Sequence, residues 1–283
     1  MSKRNTQQAK TAARERLRAE RERQAKREKT KRQAVVGVSI VAVLAIAGGV
    51  GYAVMQANKP SHWQEVMDAK PAKVKAPANT SGKDGTTVVL GKSSAKKTLK
   101  IYEDARCPVC AAFEQTVGPT LHKDLDAGKF KLQYIGATFL DGDSASEGKV
   151  GNRGEGSKNA LSALGAALNV SQDAFLDYKA ALYSSKFHPE ESEDKFKDDD
   201  YLIKVADTVD GLKGNKAFQK DVTNGTYDDW ALKMSKKFDS NKDQVTGTPS
   251  LVMDGKKLTG SDGQNAPMTV AEYKTALTKA LKG

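Results

Sequence analysis

Hydrophobic residues alternate with polar residues in short runs through the region that follows residue 85. Residues 86–90, 97–104 and 130–138 have the pattern of β-strands. Helix-forming residues lie between the second and third of these strands, and Gly118–Pro119 interrupts them. A strand, a helix and a strand in this order predict a βαβ unit in which the second and third strands are parallel.

The next 80 or so residues have a different pattern. After a polar loop, apolar residues recur at spacings of three and four up to about residue 240, which predicts a block of helices. Residues 250–258 then form two short strand-like runs around Asp254–Gly255, a strong hairpin signal. Thr269 and Glu272 have the spacing of a capping box and predict a final helix.

A run of 22 residues without a charge, residues 34–55, precedes this region. About 20 apolar residues are enough for a helix to cross a bilayer. Seven Lys/Arg lie in residues 19–33, whereas only Lys59 and Lys70 occur in residues 58–72. The positive-inside rule therefore predicts a single-pass cell-membrane protein with a cytoplasmic N-terminus and an extracytoplasmic C-terminal domain. A cleaved signal peptide is the alternative, and it fits less well because its apolar region is usually about 7–15 residues long.

The net charge of +11 first suggests a nucleic-acid partner. However, residues 1–33 contain 13 Lys/Arg and 4 Glu, a net charge of +9, which leaves +2 for the other 250 residues. The excess is a property of the tail, so we expect no nucleic-acid partner. A nearly neutral extracytoplasmic domain on one anchor indicates a monomer.

These patterns divide the chain into five segments. They are a basic cytoplasmic tail at 1–33, an anchor at 34–55, an extended linker rich in Pro, Ala, Lys and Ser at 56–84, an α/β domain at 85–139 and 245–283, and a helical insertion at 140–244.

The only two cysteines, Cys107 and Cys110, stand in the stretch DARCPVCAAFE, directly after the second strand. Two cysteines at this spacing are compatible with three roles, which are a metal site, a structural disulfide and a redox-active pair. A disulfide across two residues closes too small a loop to stabilise the fold much. A structural zinc site needs four ligands, and His62, His122 and His188 lack the required spacing. The redox pair is therefore favoured, and no metal is expected.

A cysteine at a helix N-terminus lies among unpaired N–H groups and the positive end of the helix dipole, which both favour the thiolate. The pKa of Cys107 should therefore be lowered. Cys110 lies inside the first turn and should be less accessible. We expect Cys107 to be the exposed partner that forms the mixed disulfide with the substrate, Cys110 to resolve it, and Pro108 and Val109 to tune the pair.

Three features together resemble DsbA-like thiol–disulfide oxidoreductases of the thioredoxin superfamily, in their membrane-anchored bacterial form. They are CPVC at the start of a helix, the long helical block, and GTPS at residues 247–250 just before the hairpin. The resemblance covers about residues 86–281. It implies a thioredoxin-like α/β fold with a helical insertion and no cofactor. It also implies that Thr248–Pro249 is a cis-proline pair that faces the cysteines and binds an extended substrate segment.

The function that we expect is that of an extracytoplasmic oxidoreductase, which introduces or exchanges disulfide bonds in exported proteins through Cys107 and Cys110. Exported protein thiols would be its substrates, and a separate membrane enzyme would reoxidise it. Two alternatives stay open. One is a redox-inert thioredoxin-like module that recruits a partner, and the other is a disulfide reductase.

Overall fold

The computed structural model describes residues 61–69, 74–142 and 153–282, together with residues 16, 18, 20–24, 26–29 and 31, which are helical and exposed. The chain divides into two units, Met1–Pro60 and Ser61–Gly283. The predicted anchor at 34–55 lies outside the described residues. Among the residues that are described, no helix combines the length and the apolar character needed to cross a bilayer.

The second unit contains helices and strands in the predicted order. They are α1 (His62–Asp68), β1 (Val88–Leu90), β2 (Thr98–Asp104), α2 (Pro108–Thr116), α3 (Gly118–Asp126), β3 (Lys131–Ala137), a 3-10 turn (Phe139–Asp141), α4 (Gly156–Val170), α5 (Gln172–Leu182), a second 3-10 turn (Lys195–Lys197), α6 (Asp199–Ala206), α7 (Lys216–Thr223), α8 (Asp228–Asp239), β4 (Ser250–Met253), β5 (Lys256–Leu258) and α9 (Val270–Lys282).

The five strands form one mixed sheet in the order β1-β3-β2-β4-β5. β2 and β3 are parallel, which confirms the expectation from the βαβ pattern, and the other neighbouring pairs are antiparallel. The pairing of β4 with β2 places Ser250 opposite Tyr102. Because β4 starts at this point, the residues just before Ser250 lie near the end of β2, where helix α2 begins.

The helical block packs on the sheet through α4 and α8, which both contact β3. Gly165 allows α4 to approach α8 closely, since a Cβ at this position would lie 2.9 Å from the Trp230 ring. One hydrophobic cluster therefore extends from Leu99 and Ile101 in β2 to Leu161 in α4. The insertion and the α/β domain share a single core.

Part of the predicted extended linker, residues 56–84, is a helix. Ser61 caps α1 by accepting a hydrogen bond from the Gln64 N–H at 3.3 Å. Trp63 is only 1% exposed and belongs to the core, and His62 Nε2 lies 2.6 Å from Asp228 Oδ2. The linker prediction is therefore wrong for α1, because burial of a large indole outweighs the polar and proline-rich composition around it.

Candidate active site

Cys107 lies at the turn between β2 and α2. β2 ends at Asp104, and the Cys107 N–H donates to the Asp104 carbonyl at 3.0 Å, which closes the turn. Cys107 is the N-cap of α2, and its Sγ accepts a hydrogen bond from the Cys110 N–H at 3.4 Å. Pro108 occupies the first helical position, where the missing N–H of proline costs nothing. The cap geometry fixes the sulfur over the start of the helix.

The two thiols are both free, and they differ in access. Cys110 is completely buried, and Cys107 is 6% exposed, so the predicted order of access is correct. The description of Cys107 as an exposed partner is wrong, because only a small part of its surface is open. Val109 beside it is 49% exposed. An incoming sulfur therefore has only a small part of the Cys107 surface to attack.

The pKa of the Cys107 thiol is lowered from 9.0 to about 6, in the predicted direction. The largest cause is a hydrogen bond from the Cys110 thiol. Burial opposes it, and the Thr248 side chain and the N–H groups of Cys110 and Val109 add to the lowering. The sequence argument assigned the effect to the helix N-terminus alone and missed the neighbouring thiol. The pKa of Cys110 is raised well above 9.0, by burial first and then by Cys107. At neutral pH the pair therefore holds one thiolate and one thiol.

Thr248 and Pro249 lie across from the cysteines, at the start of β4. The peptide bond between them is cis, as the resemblance implies. Cys107 Sγ lies 3.5 Å from the Thr248 carbonyl oxygen. Val109, Thr248 and Pro249 also line one end of a groove of about 490 Å³. The structure thus brings together the residues that the sequence analysis singled out in two segments about 140 positions apart.

A buried group of charges near Cys110 was missed by the sequence analysis. Lys179 of α5 is 1% exposed, and its Nζ lies 2.6 Å from Glu114 Oε2 and 3.1 Å from Glu103 Oε2. Burial raises the pKa of Glu103 to about 7, against the effect of Lys179. The negative charge of Glu103 in turn raises the pKa of Cys110. For Glu103, the sequence contained one sign of a role at the site, since it is a charged residue at the end of an otherwise buried strand. No comparable sequence feature marks Lys179.

Arg106, which directly precedes Cys107, is held in a second buried network. Its Nη1 donates to Asp141 Oδ1 at 2.8 Å, and its Nη2 donates to the Glu191 carbonyl at 2.9 Å. Lys158 Nζ also contacts Asp141, at 2.9 Å. The Asp104 carboxylate accepts from the Arg106 N–H at 3.0 Å, and burial raises the pKa of Asp104 to about 7. Arg106 Nε also lies 3.5 Å from Asp194 Oδ1, so the charge of Arg106 is matched within this network.

The insertion also contributes two aromatic groups. Tyr183 belongs to the small buried cluster that contains both cysteines, and its hydroxyl donates to the Asp104 carbonyl at 3.1 Å. His188 stacks on Tyr183, with ring centroids 5.9 Å apart, and its Nε2 lies 3.2 Å from the Ala105 carbonyl oxygen. Within residues 61–69, 74–142 and 153–282, no three His, Cys, Asp or Glu side chains are grouped so as to hold a metal ion.

Comparisons of this chain with known proteins agree on one family. A family model described as thioredoxin matches residues 83–279. Disulfide bond formation protein D of Bacillus subtilis (strain 168) is 27% identical over 99 residues, which are 35% of this chain and 39% of that relative. The match thus spans well under half of the relative's length.

Solved structures with the same fold include two oxidoreductases. Oxidised DsbA of Mycobacterium tuberculosis superposes with a TM-score of 0.54 at 24% identity, over 70% of this chain and 93% of that one. MdbA, a thiol-disulfide oxidoreductase of Actinomyces oris, gives 0.53 at 19% identity, over 79% and 96%. At these identities the superpositions establish the fold. They confirm the thioredoxin-like α/β architecture. Together with the family model and the Bacillus subtilis relative, they confirm the resemblance to DsbA-like proteins.

Proposed function

The chain belongs to the thioredoxin family, and on that premise we propose that it is a thiol–disulfide oxidoreductase that introduces or exchanges disulfide bonds in exported proteins. The relatives named for disulfide bond formation and thiol-disulfide oxidoreduction support this class of reaction. The observation that carries the proposal is the asymmetry of the pair. Cys107 Sγ accepts from the Cys110 N–H and has a pKa near 6, while Cys110 is buried and keeps its proton.

The first step starts from the oxidised pair. A substrate thiolate attacks Cys107 Sγ, the Cys107–Cys110 bond breaks, and a substrate–Cys107 disulfide forms. Cys110 leaves with the electron pair and takes a proton, since its pKa is well above neutral. Cys107 is the sulfur attacked because Cys110 has no exposed surface.

The second step releases the product. Another thiolate of the substrate attacks the substrate sulfur of the mixed disulfide, and Cys107 leaves as a thiolate. Its lowered pKa makes it a good leaving group. The substrate has then lost two electrons and two protons. The protein has gained two electrons and one proton, and the other proton goes to solvent. A further cycle needs an oxidant, and a membrane enzyme that reoxidises Cys107–Cys110 would supply it.

Substrate binding would use the backbone beside the cysteines. The Thr248 carbonyl faces Cys107 Sγ, and the groove of about 490 Å³ begins at Thr248, Pro249 and Val109. An extended substrate segment in this groove would lie along the start of β4 with its cysteine next to Cys107.

The same proposal places the catalytic domain outside the cytoplasm on a single-pass anchor. Its support is the uncharged run at 34–55 and the basic residues that precede it. Protease added to intact spheroplasts should degrade the domain after residue 55 and spare an N-terminal tag. If the protease degrades no part of the chain until the spheroplasts are lysed, the proposed location is wrong.

The reaction is tested with the full chain in detergent. The oxidised protein is incubated with a reduced, unfolded substrate protein, and the loss of substrate thiols is measured against time. Cys107→Ser should abolish the activity. Reduced Cys110→Ser, incubated instead with a substrate that contains a disulfide, should accumulate a mixed disulfide through Cys107, because the Cys107 thiolate displaces one substrate sulfur as a thiol and no Cys110 thiol is present to resolve the product. If the unsubstituted chain shows no thiol exchange above background, the oxidoreductase proposal is wrong and the alternative of a redox-inert binding module stands.

The direction of electron flow is tested by the reduction potential of the pair. A value near about −120 mV, as in DsbA, supports an oxidase, and a value near about −270 mV, as in thioredoxin, supports a reductase. Lowering of the Cys107 pKa stabilises the reduced form, so we expect the more oxidising value.

A further inference from the structure

A second groove of about 740 Å³ lies between the hairpin strand β5 and helix α9. Its lining includes Met253 and Leu258 from the hairpin, which are both buried in the core. It also includes Ala276 and Ala280 from α9, whose small side chains leave space between the helix and the strand. The floor of the groove is therefore apolar.

The strand beside the groove is at the edge of the sheet. β5 is the last strand in the sheet order and pairs on one side with β4. An edge strand presents backbone N–H and C=O groups to which an extended polypeptide can add. The groove thus offers main-chain partners on one wall and small apolar side chains on the other.

The rim of the groove is basic. Lys256 and Lys257 from β5 and Lys279 from α9 line it and are exposed. Two acidic residues also line the groove. Glu272 accepts from the Ser261 hydroxyl at 2.6 Å and keeps its negative charge, whereas Asp254 pairs with Lys97. Three lysines against these two carboxylates leave the lining with a positive net charge, which favours an acidic occupant and disfavours the basic N-terminal tail of this chain.

The basic groove, as we name this second groove, continues from the groove at the cysteines. Gly260, Ser261 and Glu272 line both. We propose that the basic groove holds the polypeptide segment that flanks the reactive cysteine of a substrate, and that it selects acidic segments. This inference rests on the proposed oxidoreductase function, because the occupant is the same polypeptide that reacts at Cys107.

The test uses three peptides with the same single cysteine. The residues three to eight positions from the cysteine, on both sides, are Asp and Glu in the acidic peptide, Gln in the neutral peptide and Lys in the basic peptide. The rate of mixed-disulfide formation with the oxidised full chain is measured. We expect the acidic peptide to react about tenfold faster than the basic one at low salt, since each exposed ion pair contributes modestly. Screening at high salt should reduce the difference.

Matched substitutions assign the preference to the groove. The triple variant Lys256→Glu, Lys257→Glu, Lys279→Glu should reverse the order of the three peptides. The control variant Lys83→Glu, Lys213→Glu, Lys216→Glu changes three exposed lysines elsewhere and should preserve the order. Both variants should react with dithiothreitol at the wild-type rate, which verifies that the folded pair is intact.

The outcomes separate this inference from the proposed function. Failure of the unsubstituted chain to exchange with any thiol overturns the oxidoreductase function. Equal rates for the three peptides, with normal dithiothreitol reactivity, overturn only the basic groove. Two further results would also overturn the inference, provided that the wild type shows no peptide preference. A dimer that light scattering detects and that the triple variant loses would assign the groove to a second copy of the chain. Binding to phosphatidylglycerol vesicles that the triple variant loses would assign it to lipid.

Discussion

Ser157 Oγ donates a hydrogen bond to Asp104 Oδ1 over 2.6 Å, and both side chains are buried. Ser157 belongs to α4 of the helical insertion, whereas Asp104 is the last residue of β2, just before the turn between β2 and α2. Leu140 N also donates to the same carboxylate, at 3.1 Å. The insertion is therefore part of the support of the turn that carries Cys107.

Ser157→Ala should destabilise the protein. The substitution removes a buried hydrogen bond to a carboxylate, which contributes about 2 kcal/mol to the free energy of unfolding. The measurement is urea unfolding of the full chain in detergent. The control is Ser240→Ala, because the Ser240 hydroxyl bonds the Lys236 carbonyl at the surface and its loss should change stability by less than about 0.5 kcal/mol. Equal effects of the two substitutions would contradict the role of Ser157.

Cys110→Ala should raise the pKa of Cys107 by at least about one unit. The thiol of Cys110 is the largest cause of the low pKa, and the alanine variant keeps the N–H groups but loses that donor. Cys110→Ser keeps a donor of similar size and should leave the pKa near 6. Ultraviolet absorbance of the thiolate against pH gives the value. A pKa of about 8 or more in the unsubstituted protein would contradict the assignment, since free cysteine titrates there.

Lys179→Met should strongly destabilise the protein. At pH 8, above the pKa of about 7 of Glu103, it leaves the carboxylates of Glu103 and Glu114 buried without their shared cation, and loss of one partner of a buried ion pair costs about 3–5 kcal/mol. Chemical unfolding measures the change. Lys195→Met is the matched control, because its pair with Glu193 is half exposed and should be indistinguishable from wild type. A small effect at Lys179 would show that the two glutamates are accommodated without it.

Much of this fold follows from local sequence patterns. β2, α2 and β3 were predicted because their apolar residues recur with the periods of strands and helices, and the hairpin was predicted because Asp-Gly between two strand-like runs favours a tight turn. The structure confirms the turn, with positive φ angles of 51° at Asp254 and 75° at Gly255. The position of Cys107 as helix N-cap followed from the strand before it and Pro108 after it.

The support of the site did not follow from local patterns. Lys179 and Lys158 are fully buried cations, and a cation is buried only where a distant part of the chain supplies its partner. Their partners lie on β2, α2 and the first 3-10 turn, so no spacing along the sequence reveals them. Trp63 likewise was assigned to a linker, because its helix α1 contacts α8, which lies more than 150 residues further along the chain.

Glu103→Gln should change how stability depends on pH. In the wild type the pKa of Glu103 is raised to about 7, above its ordinary value of 4.5. The stability that this protonated carboxyl contributes is fully present below about pH 4.5 and is lost as pH rises to about 7, because the unfolded chain releases the proton first. Glutamine has no proton to lose there.

The free energy of unfolding of Glu103→Gln, minus that of wild type, should therefore increase steadily from pH 4.5 to 7 and then become constant. Urea unfolding at each pH under reducing conditions measures it, and the subtraction removes the contributions of histidines that titrate in the same range. Glu193→Gln is the control, since Glu193 is half exposed and its difference from wild type should be flat. A flat difference for Glu103→Gln would mean that Glu103 is ionised throughout, held so by Lys179.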